Sequence, residues 1–312
     1  MNVYKPEGSI LQTPENYAAL SSKSGLEKAM EQRAILEGTA HMCDRDFSLH
    51  VDLGMGRHGI MPRDEVEYSP QNEPTKDIAI LTRVGKAVCF HVIGASRDEK
   101  GETVYILSRK SAQRECMLHY ISALVPGDVI PAKVTHMEPF GAFMDIGCGI
   151  VSLLCIDAIS VSRISHPKER FRLGESIHVA VRSVDALGRI FVSHRELLGT
   201  WEENAALFSP GQTVVGCVRT IESYGIFVEL TPNLAGLAEW KSGIAVGDRA
   251  AVFIKSIIPE KMKIKLVIID SGAGGESIPE TAVTSLPESG HLSHWRYSPA
   301  CCPKIIETKF DS

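Results

Sequence analysis

Apolar and polar positions alternate with period two in many short runs along the chain. The sharpest run is Phe140-Gly141-Ala142-Phe143-Met144-Asp145-Ile146-Gly147. Ala142, Met144 and Ile146 fall on one face of the strand it predicts, while Phe143 and Asp145 fall on the other. A large aromatic on the polar face serves no folding purpose by itself. The run recurs as Tyr224-Gly225-Ile226-Phe227-Val228-Glu229-Leu230, with Ile226, Val228 and Leu230 inward and Phe227 and Glu229 outward. A fainter copy, Phe47-Ser48-Leu49-His50-Val51-Asp52-Leu53, places His50 and Asp52 outward. Three copies of one strand imply three copies of one module.

Each copy sits in a similar succession of elements. The first module is expected over residues 33–110, with strands at 34–41, 47–53, 58–61, 86–92 and 104–108 and a polar loop at 69–74. The second, 126–199, has strands at 128–137, 140–146, 150–155, 176–184 and 189–193. The third, 211–270, has them at 213–222, 224–230, 234–238, 249–256 and 262–268. Pro126-Gly127 and Pro210-Gly211 open the second and third modules. Met117, Leu118, Ile121 and Leu124 share one side of a linking helix within 111–125. Thr200-Trp201-Glu202-Glu203 fits a capping box opening a second linker, 200–210. Residues 1–32 read as an irregular lead with a short helix near 26–32, and no chemistry is assigned to them. Residues 271–312 read as a flexible linker and a tail in which His294-Trp295-Arg296-Tyr297 and 303–310 are the docking candidates.

Composition changes the picture in two places. A net charge of −5 and a pI near 6.1 argue against binding duplex DNA through phosphate neutralisation. They leave room for a protein that stacks unpaired bases on aromatics beside a few local cations. The eight cysteines contain no Cys-x-x-Cys pair, so reduced core thiols are expected, without disulfides or a zinc cage. With no apolar run long enough for a bilayer and no leader-like start, the expectation is a cytoplasmic protein without membrane contact.

Five short strands with a longer connection between the third and fourth outline the OB-fold, a small Greek-key barrel. Periodicity alone gives several small β modules without barrel closure; with the resemblance that follows, the expected fold class is all-β, three tandem OB-fold modules joined by short helices. Modules two and three resemble the S-one RNA-binding domain of the bacterial small-subunit ribosomal protein family, in its short clostridial-type form. The resemblance rests on Pro126-Gly127-Asp128, Phe140-Gly141-Ala142-Phe143, Gly174-Glu175, Asp185 and Gly188-Arg189-Ile190. In module three it rests on Pro210-Gly211, Tyr224-Gly225-Ile226-Phe227, Gly236-Leu237, Gly247-Asp248 and Lys263-Ile264.

The resemblance implies an RNA face built from two strand-two aromatics, a histidine after strand three, and an aspartate and a cation near strand five. Module two supplies Phe140, Phe143, Asp185 and Arg189, with Cys155 at the histidine position. Module three supplies Tyr224, Phe227 and Lys263, with Glu239 at the histidine position and Pro259 at the aspartate position. Module one offers only Phe47 and His50, with Pro62 and Val104 at the histidine and cation positions, and reads as degenerate. Phe143 and Phe227 are expected as solvent-facing rings beside Arg189 or Lys263. Arg163, Lys168, Arg170 and Arg172 form a further basic cluster, either a phosphate contact or a solvated loop.

The implied function is single-stranded RNA binding, most plausibly of mRNA, in translation at the small ribosomal subunit, by a chain that is monomeric when free. Two other classes compete. One is a protein–protein adaptor docking on the ribosome or an RNA-processing enzyme; the other is an accessory part of such an enzyme. No carboxylate cluster or nucleophile triad points to catalysis, and no cofactor or metal is expected. Gly54-Met55-Gly56-Arg57-His58-Gly59 fits a dinucleotide-binding pattern, but Ile60-Met61-Pro62 follows where a helix should open, so a hairpin turn is expected. His291, His294, Cys301 and Cys302 lack zinc spacing, and His136, His166 and His178 have no partner motif.

Overall fold

The alternating runs close on themselves. In the computed structural model, which describes residues 4–70, 73–98, 101–186, 188–272 and 289–310, three five-stranded barrels follow one another. The first comprises β1 (Leu36–Cys43), β2 (Leu49–Asp52), β3 (His58–Met61), β4 (Ala87–Arg97) and β5 (Thr103–Ser108), closed in the order β1-β2-β3-β5-β4. The second comprises β6 (Asp128–Glu138), β7 (Gly141–Asp145), β8 (Val151–Cys155), β9 (Ser176–Val184) and β10 (Ile190–Ser193), closed by the β6–β9 pairing. The third comprises β11 (Thr213–Glu222), β12 (Gly225–Thr231), β13 (Leu234–Ala238), β14 (Arg249–Ile258) and β15 (Lys263–Gly272), closed in the same order as the first. In each, the third strand runs parallel to the fifth. The fold is that of three OB barrels, as the outline of five strands together with the family resemblance implies.

The inward rows are those read from the alternation: Ala142, Met144, Ile146, Ile226, Val228 and Leu230 are all buried. Register shifts in β1 and β11, between Ala40 and Met42 and between Val218 and Thr220, let the long first strand bend around the barrel. The Gly54–Gly59 motif is a hairpin turn, with Arg57 N–H donating to Gly54 O ahead of β3. The lead holds two helices, α1 (Pro14–Leu20) and α2 (Lys23–Glu31), where one was expected. Helix α3 (Asp77–Leu81) lies in the first long connection, α4 (Arg109–His119) follows β5, and α5 (Trp201–Ala205) follows β10 with the predicted capping box. Of the expected loop at 69–74, Gln71 and Asn72 lie outside the described residues. So does most of the expected flexible linker, 273–277, within the undescribed segment 273–288. All eight cysteines are free.

Contacts divide the chain into two compact units. Met1–Leu124 with the β7–β8 turn, Asp145–Val151, forms one. Here the lead proves structural. Glu7 receives Arg109 Nε at 2.6 Å, Arg109 Nη2 at 3.1 Å and the Cys89 N–H at 3.0 Å. Asp145 receives the N–H groups of Glu7 at 2.7 Å, Gly147 at 2.9 Å and Gly149 at 3.0 Å. Asp145 was expected on an outward, wet face, yet it is 2% exposed. Its side chain does leave the barrel, and the lead covers it. Burial, and next the charge of Glu7, push its pKa up to about 7. Burial likewise pushes Glu37, which receives the Gly8 and Ile10 N–H groups, up to about 7.

Val125–Met144 with Ser152–Ser312 forms the other unit. One core runs through Leu197, Trp201 and Phe208, the inward residues of barrel three, and Trp295, Tyr297 and Phe310 of the tail. The tail adds β16 (Gly290–His291) to β6 and pairs β17 (His294–Arg296) with β18 (Glu307–Lys309). His291 and His294 face Asp128 and Glu307 in doing so.

The β12–β13 turn is held as firmly. Asn233 is fully buried; its Oδ1 accepts from Val161 N–H, and its Nδ2 donates to the carbonyls of Arg195 and Gly199. Glu229, also expected outward and wet, is 0% exposed. Arg219 grips it with two donors, Nε at 2.8 Å and Nη2 at 3.1 Å, and Arg170 donates at 2.5 Å from the long connection of barrel two. Arg219 also pairs with Glu169. Arg170 is thus withdrawn from the expected phosphate-contacting cluster; Arg163, Lys168 and Arg172 remain exposed.

Candidate nucleic-acid interface

Barrels two and three each carry a strand-two aromatic pair with the same geometry. Phe140 and Phe143 meet edge to face at 6.0 Å and 89°, and Tyr224 and Phe227 at 6.2 Å and 88°. Phe140 and Tyr224 are 55% and 67% exposed, and Phe143 and Phe227 are half-buried beneath them. The glycine inside each pair permits this arrangement. A Cβ on Gly141 would stand 2.5 Å from Leu154 O, and one on Gly225 2.5 Å from Ala238 O. Only a residue without a side chain lets strand three pass so close to the base of the rings.

Strand register sets what surrounds each pair. In barrel three, Thr220, Phe227, Leu237 and Lys265 lie opposite one another across β11, β12, β13 and β15. Lys265 therefore stands in the row of Phe227. The expected cation, Lys263, lies one outward position further along β15; both lysines are exposed. In barrel two the Ile156 N–H to Phe140 O bond fixes the hairpin register, and Phe191 lies opposite Leu153. The matching row is Phe143, Leu153 and Phe191, with His136 of β6 stacked on Phe143 at 5.9 Å and 29°. The imidazole also contacts Glu138 at 2.6 Å.

Arg189, 69% exposed, stands two residues before Phe191, just ahead of β10. Its Nε donates to Asp185 at 2.7 Å and its backbone N–H to the same carboxylate at 2.9 Å, closing the β9–β10 connection. Asp185 and Arg189 thus form a pair with each other. In barrel one, the Phe47 ring lies 4.8 Å beneath the Arg63 guanidinium, and His50 contacts Asp44 at 3.0 Å. Its matching row is Met42, His50, Ile60 and Ile106, which offers no open aromatic face.

Sequence reasoning passed over His136, Lys265 and Trp240. The first lacked a motif, and the second follows from register alone. Trp240, 60% exposed just past β13, was legible as an apolar residue beside a polar run. Among the described residues no group of three His, Cys, Asp or Glu side chains is placed to hold a metal ion, and no helix is long and apolar enough to cross a membrane.

Comparison with known proteins bears on this face directly. Residues 124–195, which span barrel two, match the S1 RNA binding domain family. Barrel two is thus similar to the S1 domain. The chain is also similar, over most of its length, to bacterial small ribosomal subunit proteins. It is 28% identical over 259 residues to the small ribosomal subunit protein bS1 homolog of Bacillus subtilis, covering 81% of this chain and 64% of that protein. It is 30% identical over 245 residues to the bS1 homolog of Bacillus cereus, covering 74% and 61%. The chain thus spans under two thirds of the length of these relatives. A multidomain protein with nucleic acid binding domains from Streptococcus pneumoniae aligns over 76% of this chain and 73% of its own, with 14% identity and a TM-score of 0.25, too low to carry an argument. Residues 124–195 include the Phe140–Phe143 pair, His136 stacked on Phe143, and Phe191.

Proposed function

We propose that the chain binds single-stranded RNA, mRNA in translation, through the strand-two faces of barrels two and three, and does so without chemical turnover. The observation that carries this reading is the repeated edge-to-face pair, Phe140 with Phe143 and Tyr224 with Phe227, standing open on two separate barrels. Each exposed ring offers a platform for an unpaired base, worth ~1–3 kcal/mol, so that two faces supply affinity despite the acidic balance of the chain. Lys263 and Lys265 neutralise phosphates beside barrel three, while the Asp185–Arg189 pair shapes the rim of barrel two. The likeness to bS1 proteins supports a cytoplasmic site of action on the small ribosomal subunit, with the free chain a monomer. Barrel one, 33–110, serves as structure, its ring and imidazole being engaged by Arg63 and Asp44. The binding modules are 126–199 and 211–270, joined by 200–210.

Titrating labelled mixed-sequence single-stranded RNA and following anisotropy at two salt concentrations tests this. Binding that collapses in a Phe143→Ala, Phe227→Ala double variant, with a shallow salt slope in the wild type, is the expected result. Failure of the wild type to bind at micromolar concentration overturns it.

A further inference from the structure

Barrel three carries a third large aromatic that neither strand-two pairing nor the S1 domain match accounts for. Trp240 is 60% exposed, whereas the other two tryptophans, Trp201 and Trp295, are 2% and 7% exposed. Its place follows from register. Ile226 lies opposite Ala238 in the antiparallel β12–β13 pair. Continuing two residues along each strand brings Tyr224 and Trp240 to the same end of the barrel. Both extend the inward-pointing rows, of Ile226 and Val228 on one strand and Gly236 and Ala238 on the other. Past the end of the wall there is no interior left to fill, and both rings stand in solvent.

The neighbouring chemistry selects a flat, uncharged partner. Val267 and Ile269 of β15 are 41% and 53% exposed. By the Leu237–Lys265 pairing they continue the outward row of Lys263 and Lys265 toward this end. Glu239 and Lys241 flank Trp240 in sequence, and Lys241 Nζ donates to the carbonyls of Ile268 and Ile269 at 3.4 and 3.0 Å. An indole, a phenol and aliphatic side chains fit the face of a base with its phosphates held further along the row by the lysines.

We propose that Trp240 forms an additional base subsite at the end of barrel three, extending the Tyr224–Phe227 platform by one nucleotide of a single RNA strand. The proposal rests on the RNA-binding reading above. Because Trp240 is the one exposed tryptophan, its fluorescence reports the subsite directly. A ladder of oligouridylates titrated into the full chain quenches the solvent-exposed emission. Trp240→Ala weakens binding between about 5- and 150-fold and shortens by one nucleotide the length needed for full affinity. Its salt slope is unchanged, because no charge is removed. Trp240→Phe retains most of the affinity and the wild-type length requirement. Unchanged urea midpoints for these exposed-site variants exclude misfolding as the cause. Wild-type affinity in Trp240→Ala, or unquenched emission in the saturated complex, removes the subsite while leaving RNA binding by Phe143 and Phe227 intact. Absence of RNA binding by every variant and the wild type removes both.

Discussion

Removing the carboxylate of Glu229 tests the hold between barrels two and three. Glu229 is 0% exposed, and the side chains of Arg170 and Arg219 that meet it are 7% and 11% exposed. Truncating one member of a buried ion pair costs ~3–5 kcal/mol, because the partner charge stays behind without compensation. Arg219 keeps Glu169 as a second partner, whereas Arg170 retains only a long donation to the Glu169 carbonyl at 3.4 Å, and its Nε has no hydrogen-bond partner. One guanidinium is therefore stranded and the other half-compensated. Glu229→Ala should then cost about 3 kcal/mol, the lower end of that range. Glu229→Gln should cost about 2 kcal/mol, the worth of a hydrogen bond to a charged group. All three tryptophans lie in this unit, and Trp201 and Trp295 belong to its core. Urea unfolding followed by their emission thus reports it selectively. With a slope near 2 kcal/mol/M, the alanine variant shifts the midpoint down by about 1.5 M. A shift equivalent to less than about 1 kcal/mol, the worth of an exposed pair, would refute the reasoning. Replacing all three residues by well-packed apolar ones should come out near neutral.

Three further outcomes follow from the geometry. The folded-state pKa values of Asp145 and Glu37, about 7, lie above their ordinary 3.8 and 4.5, so the folded state holds these protons more tightly. The stability they contribute is present below about pH 4 and is lost as pH rises through about 7. Thermal melting of the first unit between pH 5 and 8 should show the decline, and Glu37→Gln should flatten it. Gly225→Ala sets a Cβ 2.5 Å from Ala238 O at a backbone φ of +154°. It should destabilise barrel three by about 1–3 kcal/mol in urea titrations and weaken RNA binding by tilting Tyr224 from Phe227. Lys265→Ala should reduce the logarithmic salt slope of RNA binding by about 1, whereas Arg189→Ala, whose charge already faces Asp185, should change it less.

The barrels were legible because period-two alternation reports which side of a strand faces a core. Ala142, Met144, Ile146 and their counterparts in barrel three stand where that rule puts them. The rule is silent on what lies beyond the wall. Asp145 and Glu229 do point away from their barrels, but covering segments far off in sequence bury them: Glu7 is 138 residues from Asp145, and Arg170 is 59 from Glu229. Lys265 was passed over for a related reason. Which cation shares a row with Phe227 depends on the parallel pairing of strands three and five, and spacing along one strand carries no trace of it. His136 lacked a motif, and only the fold brings its ring onto Phe143.

The buried seat of Asn233 and Glu229 has a kinetic consequence. Two binding faces on a flexible tether pay an entropic cost each time the second one engages. Here the β12–β13 turn is seated on residues of barrel two, so that cost was met when the chain folded. On the proposed reading that both faces bind one strand, release from one leaves the other at high effective concentration. The strand escapes only when both let go within one recapture time. Residence on the protein is then set by the product of two weak dissociation steps, and a competitor that invades one face at a time can peel the strand away gradually.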